Sequence, residues 1–243
     1  MTGDLLPRSL AANPRISDWL RIRSDGTVEV RSGKVELGQG VLTALAQVAA
    51  EELQVTLARV RVAPVSTSSS PDEGVTAGSL SVQDSGSALR QVCAEARALY
   101  LAAAGIKLNA PSDQLAVDDG QITAPDGAYT SYWELADDGL LDQDATGAAT
   151  PKPPAAYRVV GTNVARMDLP DKLTGRPRYV HDLTLDGMVY GRVVRPPSRG
   201  ARLHEIDTGP TLALPGVITV VRDGAFLGVI AEREEVAVRA RCH

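Results

Sequence analysis

The 243-residue sequence predicts an α+β fold, with an α/β portion up to about residue 136 and a mostly β portion from about residue 155. Three patterns support this prediction. Two long segments in the first portion carry apolar residues at helical spacing. Short segments with alternating apolar and polar residues surround them. The second portion contains short apolar runs separated by turn residues, with one helical segment after them.

The first portion is predicted to open with a β-hairpin around the turn Ser24-Asp25-Gly26. A helix follows the Gly38-Gln39-Gly40 turn, because Leu42, Leu45 and Leu53 share one helical face. A second helix begins after a loop rich in Ser and Thr. The elements expected in chain order are strands at 18–23 and 27–32, a helix at 41–53, a strand at 59–62, a helix at 81–104, and strands near 115–117 and 121–122.

The second portion is preceded by a predicted linker, because residues 137–154 are rich in Asp, Gly, Ala, Thr and Pro and lack periodicity. The predicted domain borders are therefore 1–136 and 155–243. The chain stops at His243 shortly after its last helix begins, so this domain is expected to be truncated. The elements expected in it are strands at 179–183, 188–194, 217–221 and 226–230, and a helix at 232–239.

Composition excludes several classes of function. The formal charge is -5, and 25 Lys and Arg are scattered among 30 Asp and Glu, so a nucleic-acid partner is not expected. No apolar run is long enough to span a membrane, and the start of the chain lacks the pattern of a signal peptide. The sequence therefore predicts a cytoplasmic protein.

Cysteine and histidine usage argues against a metal held by this chain. Cys93 and Cys242 have neither the spacing of an iron-sulfur site nor that of a disulfide framework. His181, His204 and His243 are too dispersed for a metal cluster. Any redox centre held by cysteine is therefore expected on another chain.

Two motifs are candidates for a ligand site. In Gly38-Gln39-Gly40, the glycines allow close backbone approach and the amide offers a donor and an acceptor; the alternative is a simple strand-to-helix turn. In Thr76-Ala77-Gly78-Ser79-Leu80-Ser81, free N–H groups at a helix start favour an anion. The alternative there is that Ser79 or Ser81 only caps the helix, with Asp84 as an acid in the first turn.

These motifs occur in a particular order, with Glu51-Glu52-Leu53 between them. Together they resemble the second molybdopterin-binding domain of the xanthine dehydrogenase and aldehyde oxidase family. A later run resembles the a/b hammerhead domain of that family: residues 160–168 (VGTNVARMD), 172–175 (KLTG), 179–182 (YVHD) and 195–197 (RPP). In this sequence the cofactor segment comes before the hammerhead segment. This order is similar to that of the permuted large subunits of the isoquinoline 1-oxidoreductase and nicotinate dehydrogenase type.

The resemblance implies a molybdenum-molybdopterin cofactor, with the cytosine dinucleotide form as one option. The cofactor-binding residues it implies are Gly38, Gln39, Gly40, Gly78, Ser79, Leu80 and Ser81. It also implies a partner iron-sulfur subunit that carries [2Fe-2S] clusters, and often a further cytochrome c subunit that accepts the electrons. The substrate it implies is a small N-heterocycle or aldehyde, hydroxylated with oxygen from water. The family's catalytic Glu lies near the C-terminus of the full subunit and is absent here. We therefore assign no catalytic residue, and expect an N-terminal fragment that is inactive alone.

Other charged residues are interpreted as structural. Glu36, Glu51 and Glu73 are expected to be solvated or capping charges and not a substitute base. A role in fixing the start of the hammerhead, through salt bridges and a buried phenol, is expected for four residues: Arg166, Lys172, Tyr179 and Asp182.

Two other functions are considered. A serine hydrolase would use the many serines with His181 and Asp182, but the sequence has no Gly-x-Ser-x-Gly elbow. A non-catalytic fragment or interaction module without cofactor is the main alternative, and cofactor content separates it from the enzyme. The sequence does not indicate which substrate or electron acceptor is used.

Overall fold

A computed structural model of the chain describes residues 6–136, 139–177 and 179–242. They form two compact units, one up to Thr174 and one from Gly175 onward. Helices and strands are mixed in both units, which confirms the predicted α+β class. Three positions used in the sequence interpretation lie outside the described residues: most of the N-terminal segment tested for a signal peptide (1–5), the first two linker residues (137–138) and His243.

The first unit contains two three-stranded sheets and the long helices. The helices are α1 (Arg8–Ala12), α2 (Ile16–Trp19), α3 (Val41–Leu53), α4 (Ser87–Leu108) and α5 (Leu169–Leu173). The strands are β1 (Leu20–Ile22), β2 (Val28–Val30), β3 (Val60–Val62), β4 (Ala116–Asp118), β5 (Gln121–Thr123) and β6 (Tyr129–Ser131). β1 and β2 are antiparallel and β2 and β3 are parallel, with α3 as the crossover; β4, β5 and β6 are antiparallel.

One hydrophobic core joins these elements, because α3 packs on both α4 and β3. Leu45 and Leu53 of α3, Leu89 of α4 and Trp19 of α2 are all 0% exposed. Burying one such leucine contributes about 1.5–3 kcal/mol. This core holds the N-terminal end of α3 beside the segment that leads into α4, which is where both candidate motifs lie.

The predicted hairpin, the helix at 41–53 and the strand near 59–62 are confirmed. The second predicted helix differs at its start, since residues Ser81–Gly86 form a π-helical turn before α4 begins. Such turns are rare in proteins, and many of those that do occur lie at functional sites.

Three buried carboxylates, those of Glu95, Glu52 and Glu51, hold the segment predicted to be a linker. Glu95 accepts hydrogen bonds from the N–H groups of Thr146 and Gly147, both at 2.7 Å. Glu52, 1% exposed, accepts from the N–H of Lys152 at 3.0 Å and from the guanidinium groups of Arg90 and Arg97. The described part of this segment is therefore held against α3 and α4 by hydrogen bonds and is not a free linker.

Glu51 corrects the expectation of a solvated charge. It is 2% exposed. Its Oε2 accepts from three consecutive N–H groups, those of Arg158, Val159 and Val160, at 2.8, 2.6 and 3.1 Å, and Oε1 pairs with the Lys152 ammonium. Burial alone would raise the pKa of Glu51, but these hydrogen bonds outweigh burial and lower it to about 2.

Because of these contacts, the first compact unit extends to Thr174, beyond the predicted border near residue 136. The assignment of 1–136 and 155–243 to two family domains stays a prediction.

The second unit contains one antiparallel sheet in the order β7 (Tyr190–Val193), β9 (Phe226–Ala231), β8 (Val217–Asp223). Its helices are α6 (Gly209–Leu212) and α7 (Glu234–Ala240). α7 buries Val236 and Ala237 against Ala231, so this helix does cover part of the sheet.

The strand predicted at 179–183 is wrong. Val180–Asp182 form a single 3-10 turn instead, and Asp182 accepts a hydrogen bond from the Tyr179 N–H at 2.9 Å. The local side-chain to backbone bond competes with strand pairing here. Tyr179 is also half-buried, so the expectation of a buried phenol is wrong as well.

Candidate functional site

Both candidate motifs lie on loops that start from one cluster of polar contacts, between residues 32–35 and residues 73–76, which we call the joint. We call residues 36–40 the Gln39 loop and residues 76–81 the Ser79 loop. Residues 32–35, just before the Gln39 loop, run beside residues 73–76, which lead into the Ser79 loop. The Val35 N–H donates to the Thr76 hydroxyl at 2.9 Å, and the Lys34 ammonium donates to the carbonyl of Glu73 at 2.6 Å. The structure therefore brings together two motifs that are about 40 residues apart in sequence.

The Gln39 loop is shaped by two glycines and one carboxylate. Gly38 and Gly40 have φ values of +106° and +80°, a region that other residues rarely adopt. The Glu36 carboxylate accepts hydrogen bonds from the N–H groups of Gly38 at 2.8 Å, Gly40 at 2.9 Å and Leu42 at 3.3 Å. Glu36 thus caps α3, which confirms the capping role expected for it.

The Gln39 amide bonds to its own loop. Its Nε2 donates to the Val35 carbonyl at 3.0 Å, and its Oε1 accepts from the Leu37 N–H at 2.5 Å. An amide has two donors and two lone pairs. One donor and one lone pair of this exposed residue therefore remain for a ligand.

The Ser79 loop forms an anion-binding backbone conformation. Gly78 and Ser79 have φ values of +67° and +58°, and Leu80 is in the right-handed helical region. Where a residue of positive φ is followed by one in the right-handed helical region, as Ser79 is by Leu80, successive N–H groups can form a nest for an anion. Across the described chain, no group accepts a hydrogen bond from the N–H groups of residues 78–81.

The serine cap that the sequence left open does not form. Leu80 occupies the N-cap position, and among the described residues no side chain caps this end of the π-helical turn. A non-glycine residue at positive φ is strained, and Ser79 keeps that strain without a capping bond in return. This favours ligand binding over capping as the reason for the conformation.

A cleft of about 510 Å³ lies beside the Ser79 loop. Gly78 and Leu80 line one part of it. Its charged lining residues are two cations and three acids: Arg8, Lys34, Asp72, Glu73 and Asp84. The cleft therefore has no excess of positive side chains, and attraction for an anion must come from the backbone N–H groups of the nest.

A second group of charges supports the Gln39 loop from outside. Arg166 lies against Gly40, where an added Cβ would be 3.4 Å from its Nε. The Met167 N–H donates to Thr43 of α3 at 3.0 Å. Hydrogen bonds from Arg166, and then from Lys172, hold the pKa of Asp168 far below its usual range despite burial. The salt bridges expected of Arg166 and Lys172 are thus present, and both converge on Asp168.

No metal site is built by the described side chains. No group of three or more His, Cys, Asp or Glu among them is placed to hold an ion. Burial raises the pKa of the Cys93 thiol, which leaves it unreactive, and His181 and His204 are exposed. Likewise, none of the described helices is long and apolar enough to cross a membrane.

Both loops lie within the domain of a known family. The sequence profile of the molybdopterin cofactor-binding domain matches residues 7–181, a span that includes the two loops and the joint between them. The chain therefore belongs to the molybdopterin-binding domains of the xanthine dehydrogenase and aldehyde oxidase family.

Three known proteins are similar to this chain over nearly all of its length. A subunit of nicotinate dehydrogenase from Pseudomonas putida is 37% identical over 91% of this chain and 19% of its own length. The beta subunit of isoquinoline 1-oxidoreductase from Brevundimonas diminuta is 28% identical over 98% of this chain and 35% of its own. A membrane-bound aldehyde dehydrogenase of Gluconacetobacter polyoxogenes, whose name includes pyrroloquinoline quinone, is 29% identical over 97% of this chain and 32% of its own. The chain thus spans between about a fifth and a third of these relatives.

Proposed function

We propose that this chain supplies two loops of the cofactor site in a molybdenum hydroxylase. The observation that carries the proposal is the Ser79 loop, where strained backbone presents N–H groups that have no acceptor among the described residues, at the start of a π-helical turn. Family membership identifies the cofactor class as molybdopterin.

The residues present fit such a group. Gly78, Ser79, Leu80 and Ser81 would donate backbone N–H groups to its polar edge or its phosphate. An added Cβ at Gly38 would meet no atom of the described residues within 4 Å, so the Gln39 loop leaves room for a ligand to approach at Gly38, with the exposed Gln39 amide beside it and Gly40 backed by Arg166. When bound, the cofactor supplies the two-electron chemistry that hydroxylates a substrate carbon with oxygen from water. The chain's own residues hold and orient it.

The cytosine dinucleotide form is the finer version of this proposal. The cleft of about 510 Å³ beside the Ser79 loop has the size of a small-molecule site. Because acids outnumber cations along it, the phosphates would be bound by the nest and the nucleoside would lie in the cleft.

We assign no catalytic base to this chain. Glu36 and Glu51 are both committed to backbone N–H groups, and each would have to break several hydrogen bonds to accept a proton. The base of the hydroxylase is therefore proposed to come from another part of the enzyme.

The names of two relatives favour an N-heterocycle over an aldehyde as the substrate of the whole enzyme. An iron-sulfur subunit, with a cytochrome c beyond it, is proposed as the electron path, because these two relatives are named as subunits and no group of described side chains is placed to hold a metal. The a/b hammerhead assignment of the second unit belongs to this proposal as well. A cytoplasmic location stays a prediction from sequence. The alternative of an interaction module without cofactor is not favoured by the family match.

The test is the molybdenum and pterin content of the purified protein, expressed alone and with an iron-sulfur subunit. We expect molybdenum and pterin together in a constant ratio, because both belong to one cofactor. The control is an unrelated protein from the same host with the same purification tag. Metal and pterin at the level of this control in both preparations would contradict the proposal.

A further inference from the structure

One carboxylate oxygen joins three segments next to the Gln39 loop and the Ser79 loop. Glu73 Oε2 accepts hydrogen bonds from the Gly33 N–H at 2.8 Å, the Ser32 hydroxyl at 3.0 Å and the Ser85 hydroxyl at 2.9 Å. Ser32 and Ser85 are 1% and 0% exposed and lie 2.9 Å apart. Ser32 and Gly33 follow β2, Glu73 precedes the Ser79 loop, and Ser85 belongs to the π-helical turn.

At Gly33 the two backbones are too close to leave room for a side chain. A Cβ added at Gly33 would lie 2.2 Å from the carbonyl oxygen of Pro71 and 3.1 Å from the Glu73 nitrogen. Lys34, 3% exposed, bonds through its ammonium to the carbonyls of Glu73 and Val75. On the far side, Asn13 holds the Asp72 backbone through both its N–H and its carbonyl, at 3.0 and 2.9 Å.

We propose that Glu73 is a positioning residue of the cofactor site: through Ser32, Gly33 and Ser85 it sets the distance between the Gln39 loop and the Ser79 loop. This rests on the cofactor site proposed above. Glu73 also lines the cleft beside the Ser79 loop, but in this role it acts through the two loops and transfers no proton. Hydrogen bonds to a carboxylate are stronger than neutral ones, and a single oxygen with three donors gives the joint one geometry.

Glutamine at this position cannot reproduce the joint. If its amide oxygen replaces Oε2, its NH2 group takes the place of Oε1, a buried atom without a hydrogen-bond partner among the described residues. If the amide is reversed, the NH2 group faces the N–H of Gly33, which is also a donor. Either orientation leaves buried donors without acceptors.

The experiment compares Glu73→Gln with Glu95→Gln in protein expressed with an iron-sulfur subunit. Glu95 is buried and accepts hydrogen bonds from two backbone N–H groups, so its carboxylate also holds a segment in place, but that segment is residues 146 and 147, outside both loops. We expect Glu73→Gln to lower the molybdenum and pterin content about tenfold, the loss typical of an outer supporting residue. Glu95→Gln should keep the wild-type content. Ser85→Ala, which removes one donor, should lower it less and in the same direction.

Hydrogen exchange of the backbone amides gives a second measurement that needs no cofactor. Glu73→Gln should accelerate exchange at residues 33–40 and at residues 84–86 of the π-helical turn, where the N–H groups are hydrogen-bonded, and Glu95→Gln only near residues 144–150. Cofactor content at the wild-type level in Glu73→Gln, or an equal loss in both variants, would overturn the positioning role. If wild-type protein carries no cofactor, the proposed function fails, while unchanged exchange at residues 33–40 and 84–86 in Glu73→Gln would overturn the present inference by itself.

Discussion

Replacing Glu51 with alanine is expected to lower the free energy of unfolding by about 3–5 kcal/mol, as for other buried carboxylates that leave a partner charge behind. The substitution leaves the Lys152 ammonium and the N–H groups of Arg158, Val159 and Val160 without their acceptor. The segment that wraps α3 would then lose its main anchor. Urea unfolding followed by circular dichroism measures the effect.

Glu134→Ala is the matched control. Glu134 also pairs with a lysine, Lys107, at 3.0 Å, but its side chain is 53% exposed. Exposed ion pairs contribute about 0–1 kcal/mol, so this variant should unfold close to the wild type. Equal losses in the two variants would show that burial of Glu51 has no special effect on stability.

The same carboxylate predicts how stability depends on pH. The folded-state pKa of Glu51 is about 2, below its ordinary value of 4.5, so its contribution is complete above pH 4.5 and is lost as pH falls toward 2. The contribution corresponds to about 3 kcal/mol. Between pH 6 and pH 2, the free energy of unfolding should therefore fall less steeply with decreasing pH for Glu51→Ala than for the wild type. An equal dependence on pH in the two proteins would contradict this account.

Gly38→Val is expected to reduce the molybdenum and pterin content about tenfold or more, since overpacking costs of about 1–3 kcal/mol correspond to such factors in binding. The valine side chain would occupy the open space above Gly38, where the cofactor is proposed to approach. It would also strain a backbone at φ +106°.

Gly127→Val separates these two effects. Gly127 has a φ of +90° and open space around it, as Gly38 does, but it lies in the turn between β5 and β6. Both variants should lose similar stability, and Gly127→Val should keep its cofactor. Loss of cofactor in both variants, or in neither, would remove the Gln39 loop from the site.

The predictable part of the fold consists of elements whose pattern is local. The alternation in β1 and β2 and the apolar face of α3 identify these elements directly. The π-helical turn at 81–86 has no such signal, because its residues also fit an α-helix. The carboxylate anchors were missed for another reason: Glu51 and Lys152 are about 100 residues apart, and an acidic residue near a helix end is normally solvated.

The candidate site follows the same division. The glycines of both loops were identifiable from their residue types, and their positive φ values agree with the expected need for glycine. The joint beneath the loops was not, because Ser32, Glu73 and Ser85 are separated by 12 to 53 residues. The one available signal was the small residue Gly33 directly after a strand. Asp168 was also missed as the shared partner of Arg166 and Lys172.

The central claim is that residues 38–40 and 78–81 together bind the cofactor. Its most direct test is hydrogen exchange of the backbone amides in protein with cofactor and in the same protein after the cofactor is removed. We expect protection by the cofactor at both loops, strongest at the N–H groups of residues 78–81, and no change in the turn at Gly127. Equal exchange at both loops with and without cofactor, or protection confined to other segments, would contradict the claim.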